Sequence, residues 1–146
     1  MIDFAHLVEN IDKSTKTTLK IKALEDYFKN ATSEDKVWAI ALFSSKRPKR
    51  AIKTSDLRVY ASEVANIPLW LFEESYHIVG DLAETIALVI PEVKSKSNKK
   101  TSLSSVISEI INLKNLNEKN QKKYLTFQWL NLDYYSRFVF NKLITS

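Results

Sequence analysis

A chain of 146 residues with a single glycine, Gly80, has little access to the left-handed backbone that tight hairpin turns and phosphate-cradling loops require. Average usage of about 7% would place roughly ten glycines in this length. Sheets joined by two-residue turns are therefore disfavoured, and a Walker loop, which needs two glycines, is excluded. Apolar residues at 45% and charged residues at 27% describe a folding chain, and the length suits one domain. The expectation is an all-α fold, a single compact multi-helix domain over residues 1–146.

Hydrophobic spacing supports this. Phe4, Leu7, Val8 and Ile11 form one helical stripe, and Leu19, Ala23, Leu24, Tyr27 and Phe28 a second. Hydroxyls between Lys13 and Thr18 are candidate caps for the second helix. Thr32 precedes a third helix, expected to be largely buried through Val37, Trp38, Ile40, Ala41 and Leu42. Thr54 or Ser55 is expected to cap a fourth, with Leu57, Tyr60, Ala61 and Val64 inside. A fifth runs from Pro68 to Gly80, whose freedom at positive φ ends it. Asp81 and Glu84 form an acidic capping box before Ile86–Ile90, and Pro91 stops that helix. Residues 92–102 are polar and lysine-rich and are expected to be a mobile loop within the domain. Stripes through Leu103–Ile111, Tyr124–Leu130 and Tyr134–Ile144 complete the chain. Trp38, Trp70, Trp129, Phe28, Phe127 and Phe138 lie in apolar stripes and are expected in the core rather than as stacking platforms.

Much chemistry is excluded by inspection. The chain has no cysteine, so disulfides, thiolate metal sites and a cysteine nucleophile are absent. His6 and His77 are too far apart for a His-Glu-x-x-His zinc pair, and His77 is expected to be structural. Glu73 and Glu74 are neighbours that diverge on a helix and are expected to be solvated charges. No metal site and no catalytic residue is expected. No stretch approaches the roughly 18 apolar residues of a membrane span, and no leader precedes Phe4, so a cytoplasmic location is expected.

The net charge of +5 is concentrated. Residues 46–58 hold Lys46, Arg47, Lys49, Arg50, Lys53 and Arg58 against Asp56 alone. Lys13, Lys16, Lys20 and Lys22 form a second group, and Lys94, Lys96, Lys99 and Lys100 a third. Cations beside hydroxyls and helix N-termini are the usual means of holding phosphates. They equally serve solubility, so charge alone leaves both readings open.

Three strings carry a resemblance: Ser44-Ser-Lys-Arg-Pro-Lys-Arg50, Ile67-Pro-Leu-Trp-Leu-Phe-Glu-Glu-Ser-Tyr-His77 and Val79-Gly-Asp-Leu-Ala-Glu-Thr-Ile-Ala-Leu88. With the ending Arg137-Phe-Val-Phe-Asn-Lys-Leu-Ile-Thr145, they resemble the N-terminal DNA-binding domain of ATP-dependent DNA ligases, in the bacterial form. Relatives carry Thr-Gly where this chain has Ser44-Ser45.

The resemblance implies an all-helical domain that grips nicked duplex DNA across the minor groove, through backbone contacts. Carried over position by position, it assigns phosphate contact to Lys20, Arg47, Lys49 and Arg50, with Thr17 and Thr54 as supporting donors. Gly80 is either a close phosphate approach or only a helix stop. Asn141 and Lys142 either touch the DNA backbone or only end a helix. The adenylation signature Lys-x-Asp-Gly needs Asp before glycine, but Val79 precedes Gly80, so no cofactor is expected for this chain. ATP and magnesium would belong to catalytic adenylation and OB-fold domains absent from it. The expected partners are double-stranded nicked DNA and the remaining ligase domains, with the chain a monomer, nucleoid-associated if bacterial, serving repair, replication or recombination. The alternative is a helical protein-interaction module whose basic turns meet an acidic partner.

Overall fold

The computed structural model describes residues 1–92 and 101–145. Most of the expected lysine-rich loop, residues 93–100, lies outside the described residues. The helices are α1 (Ile2–Lys13), α2 (Thr17–Asn30), α3 (Ser33–Phe43), α4 (Thr54–Val64), α5 (Leu69–Val79), α6 (Leu82–Val89), α7 (Leu103–Asn112), α8 (Glu118–Asn131) and α9 (Tyr134–Thr145), with a 3₁₀ turn at Leu113–Asn115. No strand occurs among the described residues. The all-α expectation holds.

α9 is the hub, packed against both α6 and α1, while α2 lies on α1, α3 on α7, and α4, α5 and α6 follow one another in contact. Val139, Phe140, Leu143 and Ile144 of α9 are buried against a core that includes Phe4, Leu7, Leu57, Phe72, Ile86, Ile107, Leu125 and Trp129. The caps written into the sequence set several boundaries. The Thr32 hydroxyl accepts from Asp35 N–H at 3.2 Å, and the Asp81 carboxylate from Glu84 N–H at 2.8 Å. Gly80 ends α5 at φ +82°. A Cβ there would meet nothing within 4 Å, so backbone conformation, not crowding, asks for glycine.

Other expectations are corrected. α2 and α4 have no side-chain cap: their cap positions are Lys16 and Lys53. Thr54 and Ser55 already have helical geometry, and Ser14 donates its hydroxyl to the Lys16 carbonyl instead. α3 is not largely buried. Ala39 is inside, whereas Val37 and Ile40 are 65% and 56% exposed, because this helix is apolar on every side and has only one side covered. Trp70 and Phe127 are also exposed rather than core. Each stands two residues, about 200° of helix, from a buried neighbour: Phe72 in α5, Leu125 and Trp129 in α8. His77, expected to be structural, is exposed.

Candidate nucleic-acid interface

The α3–α4 connection is built to hold cations outward. α3 closes with Lys46 N–H donating to Ala41 C=O at 2.9 Å and Ser45 N–H to Leu42 C=O at 3.1 Å. This paired closure places Ser45 at φ +63°, a conformation glycine adopts without strain. The chain then runs without helix to Lys53, with Pro48 and Ile52 buried as anchors. Between and around those anchors Lys46, Arg47, Lys49, Arg50 and Lys53 are exposed. Burying so many like charges without partners would cost several kcal/mol each, so the two apolar anchors carry the packing and the cations stay in solvent. Thr54 opens α4 beside a shallow depression of about 350 Å³ that Arg50 and Lys53 also line.

Arg47 Nη1 donates to the Lys142 carbonyl of α9 at 3.4 Å. The Lys142 ammonium pairs with Asp81 and stands 5.4 Å from the centre of the Phe138 ring. Burial raises the Asp81 carboxyl, but the Lys142 ammonium and the N–H groups of Glu84 and Ala83 outweigh it and hold the carboxyl below the usual value. Arg47, Lys142 and the Gly80–Asp81 junction are thus brought together. α4 and α5 form a hairpin, so the start of α4 and the end of α5 lie at the same end of it. The open space around Gly80 leaves its backbone approachable there.

Not every expected residue joins this group. Asn141 is fully buried: its side-chain oxygen accepts from Trp129 Nε1 at 2.7 Å and its amide donates to Ala83 C=O at 3.1 Å. It ties α8, α9 and α6 together and has no face left for DNA. Arg58 faces α5, where its Nη1 donates to Glu73 at 2.9 Å, so it is not part of the outward row. Glu73 is correspondingly an ion-pair partner rather than a solvated charge. Thr17 and Lys20 stand on α2, exposed and half-buried respectively, on a different element from the turn.

Arg137 has a role that neither charge nor motif announces. It is 1% exposed, and its guanidinium donates to the carbonyls of Ala87 and Ile90 at the end of α6 and of Trp129 and Leu132 at the end of α8. Two helix C-termini, each a concentration of partial negative charge, share one cation. Burial lowers its pKa, with Glu92 and Asp133 acting the other way. The one signal in the sequence is its spacing, since Arg137 lies on the face of Phe140, Asn141 and Ile144 at helical intervals of three, four and seven.

Fold and site together define an all-helical domain with a cationic turn anchored beside a glycine-closed helix junction. The family model described as DNA ligase N terminus matches residues 1–146, and the chain belongs to that family as an N-terminal domain of ATP-dependent DNA ligases. No curated protein matches the chain significantly.

Proposed function

We propose that this domain binds duplex DNA through its sugar-phosphate backbone, without reading sequence, and holds a nicked substrate for the catalytic domains of a ligase. The observation that carries this is the turn from Lys46 to Lys53, which pins Pro48 and Ile52 inside and leaves five cations outside. Lys49, Arg50 and Arg47 are the main phosphate ligands, with Thr54 and the Gly80 backbone beside them and Thr17 and Lys20 of α2 as a second contact. Lys142 reaches phosphate only by leaving Asp81, and otherwise fixes the junction next to the turn. Asn141 acts from inside by fixing α9.

Backbone contacts carry no direct sequence information, so unrelated duplexes of equal length bind alike. The Lys-x-Asp-Gly lysine is not in this sequence, so bond formation belongs to residues outside it. The parent is accordingly an ATP-dependent ligase of DNA repair, replication or recombination, of the bacterial type. Titration of the domain against nicked duplex and against an acidic helical protein, at matched salt, tests the reading. Tighter binding to the duplex supports it; equal or tighter binding to the acidic protein overturns it in favour of a protein-interaction module.

A further inference from the structure

On the side of the domain formed by α1, α2 and the start of α7 there is a cleft of about 460 Å³ whose chemistry is opposite to that of the basic turn. Asp3, Asp26 and Asp35 line it against the Met1 ammonium and the His6 imidazole, so acid exceeds base. The Met1 ammonium is already used, donating to the Thr101 carbonyl at 2.6 Å. Asp35 is also used, because its two carboxylate oxygens accept from the Leu103 and Ser104 N–H groups and cap α7 from a distance. Asp3 and Asp26 remain exposed.

A second observation marks the cleft. Tyr27 is 9% exposed, and its hydroxyl is buried with no hydrogen-bond partner among the described residues. A buried polar group left unmatched costs about 1–3 kcal/mol, so such an atom in a cleft wall points to something that satisfies it. The Tyr27 hydroxyl feels the cleft directly: burial first, then the charges of Asp35 and Asp3, push it up to about 12. It therefore stays protonated and neutral, able to donate one hydrogen bond and accept another. The Phe4 ring, packed edge-on to Tyr27 at 6.1 Å between centroids, supplies an aromatic wall.

We propose that this cleft receives an arginine side chain presented by a protein partner. The methylene stem lies against Phe4, Leu7 and Ala23, and the guanidinium donates to the Tyr27 oxygen and to Asp3 and Asp26. A guanidinium suits the site because it is less tightly hydrated than an ammonium and its fork of donors reaches several acceptors at once. This proposal does not rest on DNA binding.

The test uses the whole chain, isotopically labelled, titrated with the tripeptide acetyl-Gly-Arg-Gly-amide and with its citrulline counterpart, the neutral isostere. Saturable amide shifts centred on Leu7, Ala23 and Tyr27 are expected for the arginine peptide, with the citrulline peptide at least about tenfold weaker. Asp3→Asn combined with Asp26→Asn is expected to weaken binding by about the same factor. Tyr27→Phe is expected to weaken it about threefold while keeping or raising the melting temperature, since it removes a buried hydroxyl that has no partner in the unliganded domain. Equal shifts from the two peptides, unchanged affinity in the carboxylate variant, or the absence of saturable shifts in the cleft would overturn the proposal. The peptide comparison needs no variant to fold.

Discussion

Arg137 and Arg47 are the same residue type in contrasting surroundings. Arg137 is sealed between α6, α8 and α9, and each of its hydrogen bonds ends on a carbonyl that a helix terminus leaves without an internal partner. Arg47 is exposed on a turn with Lys46, Lys49 and Arg50, touching the body of the domain through the Lys142 carbonyl. The first cation organises the fold. The second belongs to a row of exposed cations on the α3–α4 turn. A count of basic residues treats them alike, so the net charge of +5 says less about function than the burial of each cation does.

The contrast is broken most directly from inside. Arg137→Ala should destabilise the domain by about 3–5 kcal/mol, because the carbonyls of two helix ends lose a charged donor in a dry environment. Arg137→Lys should recover only part of this, since an ammonium cannot span two helix ends. Denaturant unfolding measures both, and a loss below about 1 kcal/mol for the alanine variant would show that the guanidinium is not holding the helix ends.

Asn141→Leu should cost about 2–3 kcal/mol by leaving the Trp129 indole N–H and the Ala83 carbonyl unmatched. Any fall in DNA affinity for this variant should track its unfolded fraction. A fully folded Asn141→Leu domain with weakened binding would return Asn141 to the interface.

Asp81 gives a smaller, pH-dependent effect. Its carboxyl is held below the ordinary value in the folded domain, so its contribution is fully present above the unfolded value near 3.9 and is lost as pH falls through the folded one. Asp81→Asn keeps the capping oxygen but removes the charge paired with Lys142. The variant should be less stable by under about 1 kcal/mol from pH 5 to 8, with the gap closing below about pH 4. Thermal melts across that range check it, and a gap that widens in acid would contradict the assignment.

Helix positions were legible because several independent signals agreed. At α6, Asp81 caps, Gly80 and Pro91 bracket, and Ile86 and Ile90 give the period. At α3 they did not agree, since apolar residues all round the helix carry no direction, and only packing shows that Ala39 is inside and Val37 outside. Trp70 and Phe127 misled for a related reason: size suggests the core, but face is set by register relative to Phe72 and Trp129. The outward turn was legible because proline among cations leaves little choice. Asn141 and Arg137 were not, because their roles depend on carbonyls of α6 and α8 and on the Trp129 indole N–H, brought together by the fold, which no local spacing records.

On the proposed function, the turn binds DNA and the interior holds the fold. Replacing Arg47, Lys49 and Arg50 together by glutamine isolates the turn, with duplex binding measured over a range of salt concentrations. The variant should melt close to the parent temperature while its log–log salt slope flattens by roughly 2 to 3 units, about 0.9 for each phosphate that is no longer neutralised. A variant that unfolds while its folded fraction binds with the parent slope would make the turn structural and place the DNA surface elsewhere.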